Sequence, residues 1–315
     1  MRIILILTLT FSVFSDSFAQ NKDTVQEVIW YDGLPPDKKK VWLVAGTHAA
    51  IWTGSYIALN KAWYANYPKS DFHFFNDFRE WNQMDKAGHV WTAYQINRGS
   101  SEMWKWAGLS DKKSTIYGAI ASTAYQAMIE VQDGFSEQWG FSWSDMAANL
   151  AGTGAYTVQQ LTWKEQRISI KMSYQRPKYP ADLIERRNNL YGEGTAERIL
   201  KDYNGQTYWA SFNIKSFAKQ SNWPEWLNIA AGYGADGILG GFENSWKDKD
   251  GNTITRHDII RKRQYYLSPD IDFTKIKTNS KLLKTVFFVL NAVKVPAPAL
   301  MIDSKGKFRG YVLYF

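Results

Sequence analysis

Hydrophobic and polar positions follow two different periods along this chain, and the change between them falls near Trp163. Before Trp163, apolar and small residues recur at helical spacing in four segments, residues 41–59, 85–97, 114–129 and 142–161. Glycine and alanine are frequent in the third and fourth segments, and such small residues allow helix backbones to approach closely. Four helices joined by short links predict a compact bundle.

After this point the pattern alternates with period two, as β-strands do. The strand-like segments are residues 167–174, 207–214, 265–273 and 311–315. In the third segment, Tyr265 and Leu267 lie on one predicted face, whereas Tyr266, Ser268 and Asp270 lie on the other.

Two apolar stretches, residues 226–239 and 282–293, interrupt these strands. The first contains Gly232-Tyr-Gly234-Ala-Asp-Gly237, a glycine pattern known from nucleotide-binding turns. No strand-turn-helix context surrounds it, so we expect a loop without that function. The whole pattern predicts a mainly α fold. In this prediction, a membrane-associated N-terminal bundle of about four helices precedes a mixed α/β region with several short strands.

The first helical segment, residues 41–59, leaves two alternatives open. It has no formal charge, follows Lys38-Lys39-Lys40 and is close to the length of a membrane span. However, polar side chains such as Thr47 and His48 dilute its hydropathy. A membrane span and a buried helix of a soluble bundle therefore explain the segment equally well.

The N-terminus has the three regions of a cleavable signal peptide. Met1-Arg2 is basic, residues 3–14 are apolar, and Ser17 and Ala19 are the small residues before the expected cleavage point. The apolar run is too short to span a membrane comfortably. We therefore predict an exported protein that is periplasmic or associated with the outer membrane. Its predicted parts are a signal peptide (1–19), a helical domain (20–163) and a basic, aromatic-rich α/β region (164–315).

Charge and composition narrow the expected partners. The net charge is +8, but residues 1–163 hold 13 basic against 15 acidic residues, and residues 164–315 hold 25 against 15. Aromatic residues make up 16% of the chain, and Trp and Tyr favour surfaces that are apolar on one side and wet on the other. Export argues against nucleic acid and favours membrane lipid or an envelope protein. The absence of cysteine excludes thiolate ligands and thiol nucleophiles.

One candidate for chemistry is the pair Asp85 and His89, which are four residues apart and share a helical face. A carboxylate one turn from an imidazole can orient the ring for general-base catalysis or metal binding. The alternative, which the spacing alone favours, is that Asp85 caps the helix while His89 is a polar residue on a packed face.

A second group of candidates lies near the link between the third and fourth helices. Glu130 ends the apolar third helix, and its pKa would rise if it were buried without a partner. Asp145, Asn149 and Gly152 share one face of the fourth helix, where Ser142 and Asp145 have the spacing of a capping box. We expect Asn149 to bond across to another helix.

The order of these motifs resembles that of a known family. Asp-Lys-x-Gly-His, a Glu that closes an apolar helix and Asp-x-x-x-Asn-x-x-Gly are similar to the YfiM-like family of predicted periplasmic or outer-membrane-associated proteins, and more distantly to the VanZ-like family. The resemblance covers residues 72–162, and its signature positions are Asp85, Lys86, His89, Glu130, Asp145, Asn149 and Gly152. It implies no established mechanism. The chain lacks the cysteine that anchors the lipoprotein members, so we do not expect direct lipid anchoring.

These observations lead to two functional hypotheses. The first is a non-enzymatic envelope component that binds lipid or a protein partner. The second is a membrane-surface hydrolase or transferase acting on a lipid or cell-wall substrate. In the second, His89 oriented by Asp85 would be the base and Glu130 or Asp145 the acid, with Lys86, Asn149 and Gly152 in binding roles. No cofactor and no resident metal are predicted, because no ligand set has a specific metal-binding spacing.

Overall fold

The computed structural model describes residues 35–60 and 68–315, so the predicted signal peptide lies outside the described residues. The chain forms two compact units. The first contains Thr92–Gln166 and Thr278–Val286, together with the described residues up to Asp77. The second contains Phe78–Trp91, Arg167–Lys277 and Phe287–Phe315. The boundary predicted near Trp163 stays a prediction.

Four helices carry the first unit: α1 (Lys38–Leu59), α2 (Met84–Trp106), α3 (Asp111–Asp133) and α4 (Trp143–Thr162). Helix α2 belongs to this unit from Thr92 onward. Side-chain oxygens at three N-termini accept backbone N–H groups that would otherwise lack a partner, which explains where these helices begin. The N-cap residues are Asp37 for α1, Ser110 for α3 and Ser142 for α4.

Apolar packing and buried hydrogen bonds hold this unit together. One core cluster contains Val44 of α1 with Met103 of α2. Asn97 Nδ2 donates to the carbonyl oxygen of Thr153 at 3.0 Å and joins α2 to α4. Gly118 lets α3 approach α2 closely, because an added Cβ would lie 2.8 Å from the Asn97 carbonyl oxygen. The prediction that small residues let the helices approach closely is therefore confirmed at Gly118.

A six-stranded antiparallel sheet dominates the second unit, in the order β1-β2-β3-β6-β7-β8. Its strands are β1 (Ile168–Tyr174), β2 (Gln206–Asn213), β3 (Leu227–Asp236), β6 (Lys262–Ile271), β7 (Ala297–Asp303) and β8 (Phe308–Tyr314). Strands β4 (Ser245–Lys247) and β5 (Thr253–Thr255) form a separate hairpin. The shorter helices are α5 (Ile184–Tyr191), α6 (Thr195–Lys201), α7 (Ile214–Phe217) and α8 (Lys281–Leu290), of which the last begins in the first unit.

The predicted mainly α fold with several short strands is wrong. About 47% of the structure is helical and 22% is strand. The loop expected at Gly232 and Gly234, within the apolar interruption predicted at residues 226–239, is instead part of strand β3, which covers both glycines. The alternation of β3 is hidden in the sequence because its buried face carries small residues while its other face is apolar. Strand β7 was missed for a similar reason, since Ala299 and Met301 on its buried face flank Leu300 on the exposed one.

The predicted membrane association of the helical bundle is not supported. Within the described residues, no helix combines the length and the hydropathy that crossing a bilayer requires. In α1, the segment that left this alternative open, His48 Nε2 lies 2.8 Å from Ser100 Oγ of α2. The Thr47 hydroxyl donates to the Leu43 carbonyl oxygen within the same helix.

Candidate functional site

Three acidic side chains of the first unit come together around Asp145, and we call Asp77, Glu130 and Asp145 the carboxylate cluster. Carboxylate oxygens of Glu130 and Asp145 lie within 4.8 Å of each other, as do those of Asp77 and Asp145. All three residues are buried. Glu130 lies in the last turn of α3 and Asp145 in the first turn of α4, so the link between these helices brings the two together.

Burial and the neighbouring acids change the ionisation of the cluster. Burial raises the pKa of Glu130 to about 9, and the charges of Asp145, Asp133 and Asp77 add to this, whereas a hydrogen bond from the Ser142 backbone opposes it. Asp145 lies at the N-terminus of α4, where the helix dipole favours negative charge. The arrangement therefore favours a proton on Glu130.

Polar residues on both helices support the cluster. The Ser142 Oγ accepts from the Asp145 N–H at 3.1 Å, as the predicted cap requires, and donates to Asp77 Oδ1 at 2.5 Å. Gln126, one turn before Glu130, donates its Nε2 to Asn149 Oδ1 at 2.6 Å. The expectation that Asn149 bonds across to another helix is thus confirmed.

The structure places one further predicted residue, Gly152, on this cluster's helix α4 and adds two residues that were not predicted. Gly152 is buried one turn beyond Asn149 on α4. Asp77 and Gln126 were missed by sequence reasoning. Asp77 lies in an aromatic-rich segment without a recognised motif, and Gln126 would have been found by stepping one turn back from Glu130.

The predicted residues Asp85, Lys86 and His89 lie in the first two turns of α2, which belong to the second unit. Lys86 Nζ and Asp85 Oδ2 form an ion pair at 2.9 Å. Gly88 lies against Tyr208 of β2, because an added Cβ would meet the phenol oxygen at 2.9 Å. Burial, followed by the charge of Asp85, raises the pKa of Tyr208. The role of His89 as a base stays a prediction.

The carboxylate cluster can serve two kinds of chemistry. Two carboxyl groups that hold one proton between them have the ingredients of general acid–base catalysis. Carboxylate oxygens are also the ligands that hard cations prefer, and waters complete the coordination of such ions. The raised pKa of Glu130 favours the proton-holding pair over a bound cation.

One face of the sheet in the second unit exposes large apolar side chains. In β6, Tyr265 and Leu267 are 47% and 52% exposed, whereas Tyr266 and Ser268 are 5% and 2% exposed. Cross-strand pairing places the exposed side chains in rows, such as Tyr265 with Ile302 of β7. We define the apolar sheet face by the exposed side chains of β3, β6, β7 and β8, which are Ile229, Tyr265, Leu267, Leu300, Ile302 and Phe308.

The buried side of the sheet also holds polar groups, several of which pair with one another. Lys171 Nζ of β1 and Asp270 Oδ2 of β6 form a fully buried ion pair at 2.8 Å. The Ser211 hydroxyl of β2 also donates to this carboxylate at 2.6 Å. The hydroxyls of Tyr314 and Tyr266 are joined at 2.9 Å. Sequence alternation predicted the two faces of β6, but not that the polar one is buried.

A basic hairpin lies next to the apolar sheet face. The turn between β7 and β8 is shaped by Asp303, whose Oδ1 accepts the backbone N–H groups of Lys305 and Lys307 at 2.9 and 3.0 Å. Lys305, Lys307 and Arg309 are exposed and lie within three residues of Phe308, a member of the apolar face; Arg309 itself is paired with Met301 of the buried face. We call these three basic residues the basic hairpin. Cationic charge therefore borders apolar surface at this end of the sheet.

Residues 71–160 match the model of a family described as "Predicted periplasmic lipoprotein (DUF2279)". The match spans less than a third of the chain and includes every position of the predicted resemblance, from Asp85 to Gly152. Neither the curated proteins nor the solved structures contain a significant match. The predicted location is confirmed: the protein is exported, and periplasmic or associated with the envelope. A likeness to a periplasmic family of unknown function is supported, whereas the YfiM-like and VanZ-like resemblance stays a prediction.

Proposed function

We propose that this envelope protein binds an anionic lipid surface, with the apolar sheet face against the lipid and the basic hairpin at the headgroups. The observation that carries the proposal is the exposed face of the sheet, on which large apolar side chains lie in contiguous rows, although the buried face already holds an apolar core cluster together with polar side chains. Exposed apolar patches bordered by polar residues are typical of surfaces that bind a protein or a membrane. The adjacent cations favour an anionic membrane as the occupant.

The expected energies suit reversible surface binding. Burying a large apolar side chain contributes roughly 1.5–3 kcal/mol, and several such side chains are exposed on the apolar sheet face. Each lysine or arginine near an anionic surface adds roughly 1 kcal/mol, and this attraction falls with salt. Tyr265, beside Ile302, has the amphipathic ring that favours the boundary between lipid and water.

Vesicle flotation tests the proposal. The purified protein is mixed with vesicles of phosphatidylcholine alone, or of phosphatidylcholine and phosphatidylglycerol in equal parts, at low and high salt. We expect flotation with the anionic vesicles at low salt and a partition at least about tenfold weaker in the double variant Lys305→Gln/Lys307→Gln. The matched control is Lys112→Gln/Lys113→Gln, which removes two exposed lysines from the start of α3.

The apolar contribution has its own variants. Leu300→Ser/Ile302→Ser should weaken binding to anionic vesicles at both salt concentrations. Leu150→Ser, at a comparably exposed leucine of α4, should leave it unchanged. The proposal fails if the protein does not float with anionic vesicles at low salt, or if the control variants lose as much binding as the variants of the sheet.

A second candidate function is a hydrolase or transferase that uses the carboxylate cluster. The observation that favours it is the buried Glu130 beside Asp145, an acid that retains its proton at neutral pH. Under this hypothesis Glu130 supplies the acid. Turnover of envelope lipids or peptidoglycan fragments that is lost in Glu130→Gln would support it. Turnover that persists in folded Glu130→Gln would remove Glu130 from the mechanism.

A further inference from the structure

A cleft of about 420 Å³ opens in the first unit, and no residue of the carboxylate cluster lines it. It lies between the C-terminal parts of α1 and α3, and residues 68–70 and Ser136 complete its wall. This volume is within the range of pockets that hold small organic ligands. The described residues that line it are Tyr56, Asn60, Pro68, Lys69, Ser70, Met128, Val131, Gln132, Phe135 and Ser136.

One wall of the cleft is apolar and continues onto the surface. Tyr56, Val131 and Phe135 are large apolar side chains with more than a third of their area exposed. The Phe135 ring centroid lies 5.3 Å from that of Phe72, which in turn contacts Phe74. A ligand with an alkyl chain longer than the cleft could therefore remain in contact with aromatic surface.

The polar groups of the cleft specify the other end of a ligand. Of the described residues that line it, only Lys69 carries a charge, and its exposed ammonium group favours an anion. Gln132 Oε1 is buried and has no hydrogen-bond partner among the described residues. A buried acceptor of this kind calls for a donor, which a ligand hydroxyl would supply once rotation of the Gln132 side chain turns Oε1 toward the cleft.

From these three features we propose that the cleft binds a single-chain amphiphile whose head is both anionic and hydroxylated, such as a monoalkyl phosphate. The alkyl chain lies against Val131 and Phe135, the phosphate is bound by Lys69, and a phosphate O–H donates to Gln132 Oε1. This site is independent of the lipid-surface proposal, because all of its residues belong to the first unit and the sheet belongs to the second.

Calorimetric titration with three eight-carbon probes tests the head-group preference. Octyl phosphate carries an anion and, at mildly acidic pH, a hydroxyl; octyl sulfate carries only the anion; octyltrimethylammonium carries a cation. We expect octyl phosphate to bind most tightly, octyl sulfate about tenfold more weakly and the cation not detectably. Equal binding of the cation, or no binding of octyl phosphate, would overturn the proposal.

Variants assign the contacts, with circular dichroism to confirm folding. Lys69→Gln should weaken both anions about tenfold, whereas Lys112→Gln should change neither. Gln132→Leu should abolish the preference for phosphate over sulfate without abolishing binding. Val131→Trp should block the cleft, and Leu150→Trp on α4 is its control. If Lys69→Gln and Val131→Trp fold and bind octyl phosphate as the wild type does, the cleft is not the binding site.

Discussion

Glu130 in the last turn of α3 and Asp145 in the first turn of α4 hold carboxylate oxygens within 4.8 Å of each other in a buried part of the first unit. Two like charges at this distance would repel strongly, so one of the groups keeps its proton. The pKa of Glu130 is raised to about 9, first by burial and then by Asp145. The pair therefore makes the stability of the protein depend on pH.

The first prediction concerns that pH dependence. The folded state holds a proton on Glu130 that the unfolded state releases, because the folded pKa of about 9 exceeds the ordinary glutamate pKa of 4.5. The stability gained from this proton is complete below the unfolded pKa and is lost as the pH rises through the folded pKa. Raising the pH from 5 to 8 should therefore lower the free energy of unfolding of Glu130→Gln less than that of the wild type. We expect the two decreases to differ by about 1–4 kcal/mol.

Urea unfolding at both pH values measures this difference. Glu137→Gln, at an exposed glutamate beyond the end of α3, is the control and should follow the wild type. Parallel losses of stability in Glu130→Gln and the wild type would contradict the proposed protonation of the pair.

The second prediction separates helix capping from cluster bonding at the start of α4. Ser142 and Ser144 both donate to Asp77 Oδ1, at 2.5 and 2.6 Å, but only Ser142 also accepts from the Asp145 N–H. Ser142→Ala should therefore lower the free energy of unfolding by about 1 kcal/mol more than Ser144→Ala does. Chemical denaturation of both variants makes the comparison, and equal losses would show that the cap contributes nothing measurable.

Helical features of the first unit could be predicted from sequence because they are local. Ser142 was predicted as a cap and Asn149 as a cross-helix partner, and both roles depend on spacing within one helix. Asp77 could not be found in this way. It lies in a segment without a recognised motif, and only the folded path of that segment brings Asp77 close to Asp145 of α4. Spacing likewise indicated that Glu130 and Asp145 could converge, but not that Glu130 would hold a proton.

The sheet was harder to predict because burial does not follow polarity there. Alternation in β6 separates Tyr265 and Leu267 from Ser268 and Asp270, yet the polar row is the buried one. Its burial depends on partners in other strands, above all Lys171 of β1, about a hundred residues earlier in the chain. Such pairing is not visible in a local pattern, so the apolar row would ordinarily be assigned to the core.

The third prediction tests that buried ion pair. Lys171 and Asp270 are fully buried at 2.8 Å, so Asp270→Asn leaves a buried ammonium without its counter-charge. We expect the free energy of unfolding to fall by about 3–5 kcal/mol. Glu185→Gln removes one partner of an exposed ion pair with Lys249 and should have no measurable effect. A loss in Asp270→Asn no larger than in this control would contradict the importance of the buried pair.

The fourth prediction concerns the glycine at the centre of β3. At Gly232 an added Cβ would lie 2.6 Å from the Trp209 ring, whereas at Gly154 of α4 nothing lies within 4 Å. Gly232→Ala should therefore destabilise the protein by about 1–3 kcal/mol through overpacking. Gly154→Ala should stabilise it by about 0.5–1 kcal/mol, because alanine loses less backbone freedom in a helix. Thermal unfolding should shift in opposite directions for the two variants. A stabilising Gly232→Ala would mean that Trp209 has room to move, and that this glycine is not what brings the ring close to the strand.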